Sequence, residues 1–194
     1  MNGEIKSVEQ ILEKKGVIRE GHFLLKSKKH SGKYIDLKLL SLYPDGMSEV
    51  CDVVAGKIKE VFFDQEIDTI IGPAVGAIIP SYEIAKKLEV QNNFVEKVEG
   101  GLVCRNPQNI IGKYVIIVED VATTGGTIQQ TINYITEIGG TVIGVAVLVD
   151  RSGGDADFGV PMVSGAELSF SVYEAEECPL CKEGIELIKP GSKN

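Results

Sequence analysis

Two adjacent carboxylates, Glu119 and Asp120, close an apolar, β-branched run that starts at Val115. Immediately after them come Ala122, Thr123, Thr124, Gly125, Gly126 and Thr127. Small residues of this kind let a backbone turn tightly and aim several N–H groups at one anion. Ile128, Ile132, Ile135 and Ile138 then repeat at helical spacing up to Gly139 and Gly140, which predicts a helix ending there. The order is buried strand, acidic pair, anion nest, helix N-terminus. Carboxylates accept from sugar hydroxyls, while a nest at a helix N-terminus takes phosphate. Together they are suited to a sugar phosphate.

Two other segments place chemistry in the same way. The stretch 68–80 predicts a buried strand, a Gly72-Pro73 turn and a loop of small residues, Ala74, Val75, Gly76 and Ala77. Short side chains there would let a ligand approach the backbone, although the loop taken alone is equally an ordinary β–α turn. The apolar stretch 141–150 ends in Asp150-Arg151-Ser152-Gly153-Gly154 and again sets a charge pair where a parallel strand opens. Lys26, Lys28, Lys29, Lys33 and His30 crowd a polar turn within 22–37, a segment that predicts two short strands. Such a run is usually a solvated face; a cationic cluster beside an anion site is the sharper reading.

The elements that must hold these residues alternate between buried strands and amphipathic helices from 47 to 150, which predicts an open α/β sheet wound with helices. Ligands of such sheets sit at the carboxyl ends of the strands. The loops 72–77, 119–127 and 150–154 would all lie on that edge. Around this core, Ser7 and Gln10 form a capping box ahead of Val8, Ile11 and Leu12. Apolar residues at 47, 50, 54, 58, 61 and 62 predict a long helix. Residues 94–105 predict a hairpin turning at Gly100-Gly101. Leu168, Phe170 and Val172 alternate with polar neighbours and predict a half-exposed late strand.

With 194 residues, 43% of them hydrophobic and 25% charged, the chain has the balance of a single globular domain. A net charge of −8 argues against a broad nucleic-acid or membrane-binding surface. No apolar run approaches the ~20 residues that span a bilayer. Residues 1–10 lack a hydrophobic signal core, so a cytoplasmic enzyme is expected. Four cysteines are too few and too scattered for a disulfide scaffold. Cys178 and Cys181 supply only two of the four ligands of a structural zinc, and they read as surface thiols; His22 and His30 read as polar turn residues.

Residues 115–127 resemble the PRPP-binding motif of the type I phosphoribosyltransferases in hydrophobic run, acidic pair and Thr-Thr-Gly-Gly-Thr loop. Phe23-x-Leu25-Lys26-Ser27 with Ser31-x-x-Tyr34-x-Asp36, and the run from Leu148 through Asp150-Arg151-Ser152-Gly153 to Gly154, are similar to the orotate phosphoribosyltransferases among them. The tail from Cys178-Pro-Leu-Cys181 to Lys189-Pro-Gly-Ser192 resembles one branch of that family. The resemblance implies a mainly parallel α/β sheet flanked by helices, with a small hood made of about 1–40 and 155–194 over a core of about 45–154, all one phosphoribosyltransferase domain. It implies Mg²⁺-dependent transfer of phosphoribosyl from PRPP to orotate, giving orotidine 5′-monophosphate and pyrophosphate, by a homodimer. Transfer to another purine or pyrimidine base, or a non-catalytic PRPP- or nucleotide-binding regulator, are the competing expectations.

By the same resemblance, Glu119 and Asp120 hold the ribose hydroxyls, Ala122, Thr123, Thr124, Gly125, Gly126 and Thr127 the 5-phosphate, and Pro73, Ala74, Val75, Gly76 and Ala77 the pyrophosphate. Lys26 and Arg151 face the base and its carboxylate; no metal ligand is assigned to the protein. The family's mobile loop has the pattern Arg-Lys-Glu-x-Lys-x-His-Gly, with catalysis by its second lysine and histidine. Here that place reads Glu96-Lys97-Val98-Glu99-Gly100-Gly101. Lys97 matches the first lysine and joins Glu119 and Asp120 as a catalytic candidate. The second lysine and the histidine have no counterpart, and Arg105 is a further loop cation. Lys28 stands where the family usually has glycine.

Overall fold

The computed structural model describes residues 7–25 and 27–190. Lys26, expected to face the base, therefore lies outside the described residues. Helix α1 (Val8–Lys14) opens with the expected capping box: Gln10 N donates to Ser7 Oγ at 3.2 Å and Ser7 N to Gln10 Oε1 at 3.0 Å. Strands β1 (Ile18–Leu24) and β2 (His30–Ile35) form an antiparallel pair. A 3-10 segment, Leu37–Leu42, leads into α2 (Pro44–Val61).

The core alternates from there. β3 (Thr69–Pro73), α3 (Ile78–Leu88), β4 (Gln91–Val98) and β5 (Gly101–Cys104) precede β6 (Tyr114–Ala122), α4 (Gly126–Glu137) and β7 (Thr141–Asp150). β8 (Met162–Glu167), β9 (Val172–Tyr173), α5 (Pro179–Lys182) and β10 (Leu187–Ile188) complete the chain. One sheet has the order β5-β4-β3-β6-β7-β8, with all neighbours parallel except the antiparallel β4–β5 hairpin. The other, smaller sheet has the order β10-β1-β2-β9.

The period-2 side-chain alternation of a strand explains why the central runs are apolar without interruption. Ile70, Ile116, Val118, Ala146 and Leu148 pack on one face with Val50, Val54 and Ile58 of α2 and Ile84 of α3. Ile71, Val115 and Ile117 pack on the opposite face with Ile135 of α4. Both faces are covered, so every second position must be apolar too. Each isoleucine fully removed from water there contributes roughly 2–3 kcal/mol of hydrophobic stabilisation, which makes the central strands a rigid platform.

Three expectations change. Residues 168–171 are not strand; only Val172–Tyr173 pair, with β2. The alternation holds at buried Leu168 and half-buried Phe170 but breaks at exposed Val172, because this stretch packs as a loop. In its place β8 adds a parallel edge strand to the main sheet, so that sheet continues to Glu167, beyond the expected limit of about 154. The hairpin turns at Glu99-Gly100, since Val98 faces Gly101 directly and Gly101 already belongs to β5. Among the described residues no helix is long and apolar enough to cross a membrane.

Candidate functional site

The parallel strands β3, β6 and β7 deliver their loops to one edge. Beyond β3 lies the 74–77 loop, whose Ala74–Val75 peptide is cis. Ala74 N donates to Val95 O at 2.7 Å, and this ties the loop to β4. A Cβ built on Gly76 would run into the Asp120 carboxylate, whose Cγ would lie 3.0 Å away. Without a side chain at Gly76, the loop lies directly against the Asp120 carboxylate as placed. The expected pyrophosphate loop and the expected ribose carboxylates are thus in direct contact.

The carboxylates sit within β6, not beyond it, because the strand runs on to Ala122. Glu119 is buried and its Oε1 accepts from Asp120 N at 3.0 Å. Burial pushes the Glu119 carboxyl up to about 8, with the Asp120 charge adding to the shift. Asp120 is also raised, again by burial, against a lowering by its link to Glu119 and by Lys38. Two acids in one dry place resist losing both protons. Such a pair favours whatever brings positive charge: a cation, or a sugar carbon that becomes cationic.

The loop after β6 ends at Gly125, which has φ +71° and caps α4 without any side-chain hydrogen bond. A Cβ at Gly125 would strike the Phe158 ring at 2.7 Å, so both conformation and space require glycine there. Thr123, Thr124, Gly126 and Thr127 are exposed. The N–H groups of the first helical turn have no intrahelical acceptor. Backbone donors at the positive end of the helix dipole suit a phosphate.

Arg151 completes the edge. Its backbone N donates to Ala122 O at 2.8 Å, which fixes the β7 loop to the end of β6. The Asp150 carboxylate accepts from Ser152 N at 2.8 Å and holds the turn. The guanidinium stacks 5.5 Å from the Phe170 ring, and its Nε is buried without a hydrogen-bond partner among the described residues. A buried donor left unsatisfied is costly and uncommon in a folded protein. It marks a place where an acceptor from a ligand belongs.

The hairpin β4–β5 projects past the same edge: Pro73 faces Val95, and Lys97 lies two residues farther on. Glu96, standing at the family's arginine position, grips Arg105 across the hairpin at 2.6 Å and 3.2 Å. Arg105 is held there on an exposed surface, and neither it nor Lys97 contacts the carboxylate pair. Lys28 has φ +66°, which explains why glycine suits this position. A concavity of about 520 Å³ between the small sheet and the loop after β8 is lined by Glu9, Glu20, Glu167 and Lys33 among others. None of the expected site residues lines it, and its acidity is wrong for phosphate.

Two participants were not foreseen. Lys38 faces Asp120 from the 3-10 segment, and Tyr34 lies close enough to Arg151 to influence its charge. Lys38 has no sequence signal of its own, and Tyr34, although part of the Ser31-x-x-Tyr34-x-Asp36 pattern, is assigned no role by it. Both placements depend on how the chain around the small sheet folds over the main one. His22, His30 and Cys178 are corrections: all three are buried, the histidines within β1 and β2 and not in the turn between them.

A model of the phosphoribosyl transferase domain matches residues 46–158. The orotate phosphoribosyltransferase of Caldanaerobacter subterraneus subsp. tengcongensis is 44% identical over 191 residues, 98% of each chain. That of Thermotoga maritima is 41% identical over 187 residues, covering 96% of this chain and 98% of the relative. Among solved structures, the orotate phosphoribosyltransferase from Aeropyrum pernix superposes with a TM-score of 0.70 at 28% identity, over 83% of this chain and 93% of the other.

Proposed function

Since the chain belongs to the phosphoribosyl transferase family, we propose that it transfers the phosphoribosyl group of PRPP to orotate, in the cytoplasm and with Mg²⁺, yielding orotidine 5′-monophosphate and pyrophosphate. The observation that carries this reading is the meeting of three loops on one sheet edge. Gly76 abuts Asp120, Arg151 N bonds Ala122 O, and the Arg151 Nε has no acceptor among the described residues. Relatives named orotate phosphoribosyltransferase at 44% identity over nearly the whole chain support the choice of acceptor.

In this reading the first turn of α4 and residues 122–127 bind the 5-phosphate. Glu119 and Asp120 accept from the ribose hydroxyls, and residues 73–77 lie along the pyrophosphate. Arg151 grips the orotate carboxylate with its planar fork, a geometry that suits a carboxylate better than a point charge does. The orotate nitrogen forms a bond to C1 of the ribose as the C1–oxygen bond breaks; pyrophosphate leaves with the electron pair, and the proton released from the nitrogen passes to pyrophosphate or water. Positive charge builds on the ribose, and the buried carboxylates stabilise it where it forms. No protein nucleophile is required; alignment of the two reactants supplies much of the acceleration.

The donor set fits Mg²⁺: two adjacent carboxylates, both raised by burial, beside a phosphate-binding loop. When bound, the ion supplies neutralisation of the pyrophosphate. We assign Lys97 to the pyrophosphate as well, because its strand carries it past the same edge. We also propose a homodimer in which the projecting hairpin reaches the neighbouring site; exposed Val98 on that hairpin supports an apolar contact there. The test is turnover of PRPP and Mg²⁺ with orotate, followed by loss of orotate absorbance, alongside adenine, hypoxanthine and uracil. Turnover confined to orotate is expected. Turnover of another base alone, or PRPP binding with no turnover, would overturn the assignment.

A further inference from the structure

His22, His30, Cys178 and Cys181 bring one donor atom each to a single point, all within 4.8 Å of one another. The residues come from two ends of the chain. His22 and His30 face each other across β1 and β2, while both cysteines flank or lie in α5. His22 Nε2 lies 2.9 Å from His30 Nδ1, 3.5 Å from Cys178 Sγ and 3.7 Å from Cys181 Sγ. Cys181 Sγ lies 3.3 Å from His30 Nδ1.

A tetrahedron built from ordinary zinc–sulfur and zinc–nitrogen bonds has edges of roughly 3.3–3.8 Å. Three of the four sulfur–nitrogen separations already fall in that range; the nitrogen–nitrogen edge needs to open by about 0.4 Å, and the remaining edges, within the 4.8 Å span of the cluster, need to close by at most about 1 Å. The outer contacts match too. His22 Nδ1 lies 2.8 Å from Ile185 O. A carbonyl can only accept, so Nδ1 carries the hydrogen and the Nε2 lone pair faces the cluster. A ligand histidine is normally oriented by such a bond from its second nitrogen.

The packing around the cluster calls for an anchor. From Glu174 to Lys189, Cys178 is the sole buried residue; Ile185, Leu187 and Ile188 are all more than 40% exposed. Yet this segment adds β10 to the small sheet beside β1, with Leu187 facing His22 and Ile188 facing Phe23. Apolar burial is too scant to hold it. A hydrogen-bonded histidine pair beside two thiols would fill the same space, but would add only weak sulfur contacts to the β1–β10 pairing, the bond to the Ile185 carbonyl and the exposed Lys29–Glu174 ion pair. Two thiolates and two neutral imidazoles are the borderline-soft donor set that selects zinc over hard cations.

We propose that His22, His30, Cys178 and Cys181 form a structural Zn²⁺ site that fastens the C-terminal tail to the β1–β2 pair. All four positions are taken by protein, so the ion has no open coordination site and performs no chemistry on substrate. The site lies outside the transferase loops and stands or falls independently of the proposed reaction.

Metal analysis of the intact protein, purified under reducing conditions without chelator, tests it. About one zinc per chain is expected, and Cys181→Ser should lose it while remaining folded, because Cys181 is exposed. Co²⁺ added to the reduced, metal-free protein should give the intense visible bands of tetrahedral cobalt with thiolate charge transfer in the near ultraviolet. Those bands should vanish in Cys181→Ser and persist in Cys181→His, which keeps a ligand. Chelation should lower the thermal midpoint of the parent protein and leave that of Cys181→Ser unchanged. Failure of the reduced protein to take up Zn²⁺ or Co²⁺ would overturn the proposal. So would uptake that survives Cys181→Ser and His30→Ala.

Discussion

The edge of the main sheet and the small sheet above it solve the same problem, placing polar groups out of water, in opposite ways. At the edge, Glu119 and Asp120 are carried by a strand whose neighbours Ile116, Ile117 and Val118 are completely buried. The apolar core dictates where the carboxylates go and leaves them under-neutralised, as the upward shift at Glu119 records. In the small sheet, polar groups share the interior with Ile18, Phe23 and Ile35: His22, His30 and Ser31 are buried, with Cys178 beside them, while most of the tail that covers them is exposed. One region uses hydrophobic stabilisation to hold an electrostatic tension in readiness for a ligand. The other has too little apolar area and relies on its polar donors for attachment.

If that contrast is right, removing a charge at the edge should cost activity and not stability. Asp120→Asn is expected to lower kcat by about 10²–10³-fold, the range seen when one pre-organised electrostatic group is lost. Its thermal midpoint should stay level or rise, because a carboxylate that burial disfavours has been replaced by a neutral group. Steady-state kinetics and calorimetry on the same preparation check both halves. A kcat within about threefold of the parent, or a collapse in stability, would place Asp120 in the scaffold.

Arg151→Lys separates the donor from the acceptor half of the edge. Lysine keeps the charge but not the planar fork, and the buried contact with Phe170 is weakened. The KM for orotate should rise by about tenfold or more, the worth of one charge-assisted hydrogen bond, with the KM for PRPP little changed. Equal rises in both would mean that Arg151 only braces the turn through its backbone bond to Ala122.

How much of this could be read from the chain follows the same division. The donor edge was legible because strand burial, acidic pair and glycine loop are all local in sequence. Residues 119–127 name their own strand, turn and helix, and Gly76 and Gly125 stand where a Cβ would collide with Asp120 or Phe158. The small sheet was legible only in its first two strands, expected within 22–37; its contact with the tail was not, for the converse reason. His22 and Cys178 are 156 residues apart, and neither carries a spacing pattern that announces the other. β8 was missed because an edge strand with mixed burial has no clean alternation. The role of Lys38 at Asp120 likewise exists only once the two sheets are folded together. Among the base-facing candidates, Lys26 lies outside the described residues, and Arg151 is the one whose surroundings the structure describes.

The tension at the edge should also be visible as linked protons. The Glu119 carboxyl is raised from 4.5 to about 8. The folded, ligand-free protein therefore keeps a proton that the unfolded chain releases. The pair's contribution to stability is fully present below about 4.5 and is lost as pH rises toward about 8. Binding of Mg²⁺ with PRPP brings cationic charge to the pair and should expel that proton. Affinity should then increase with pH up to about 8 and level off above it. Calorimetric titration near neutral pH, in buffers of different ionisation enthalpy, should show net proton release. No release, or uptake, would mean that the pair is already ionised before the ligand arrives.

The smallest effect belongs to the small sheet, and it asks whether local backbone cost is tolerated there. Lys28 adopts φ +66° in the turn between β1 and β2, where a side chain crowds the backbone and glycine does not. Relief of that crowding is offset in part by the extra freedom glycine has in the unfolded chain. Lys28→Gly should therefore stabilise by only about 0.5–1 kcal/mol, a rise of a few degrees at most in a chain of this size. Lys28→Ala, which keeps a Cβ and removes the charge, should not reproduce the gain. If it does, the benefit comes from thinning the lysine cluster of the turn, and charge rather than backbone geometry limits the stability of this hairpin.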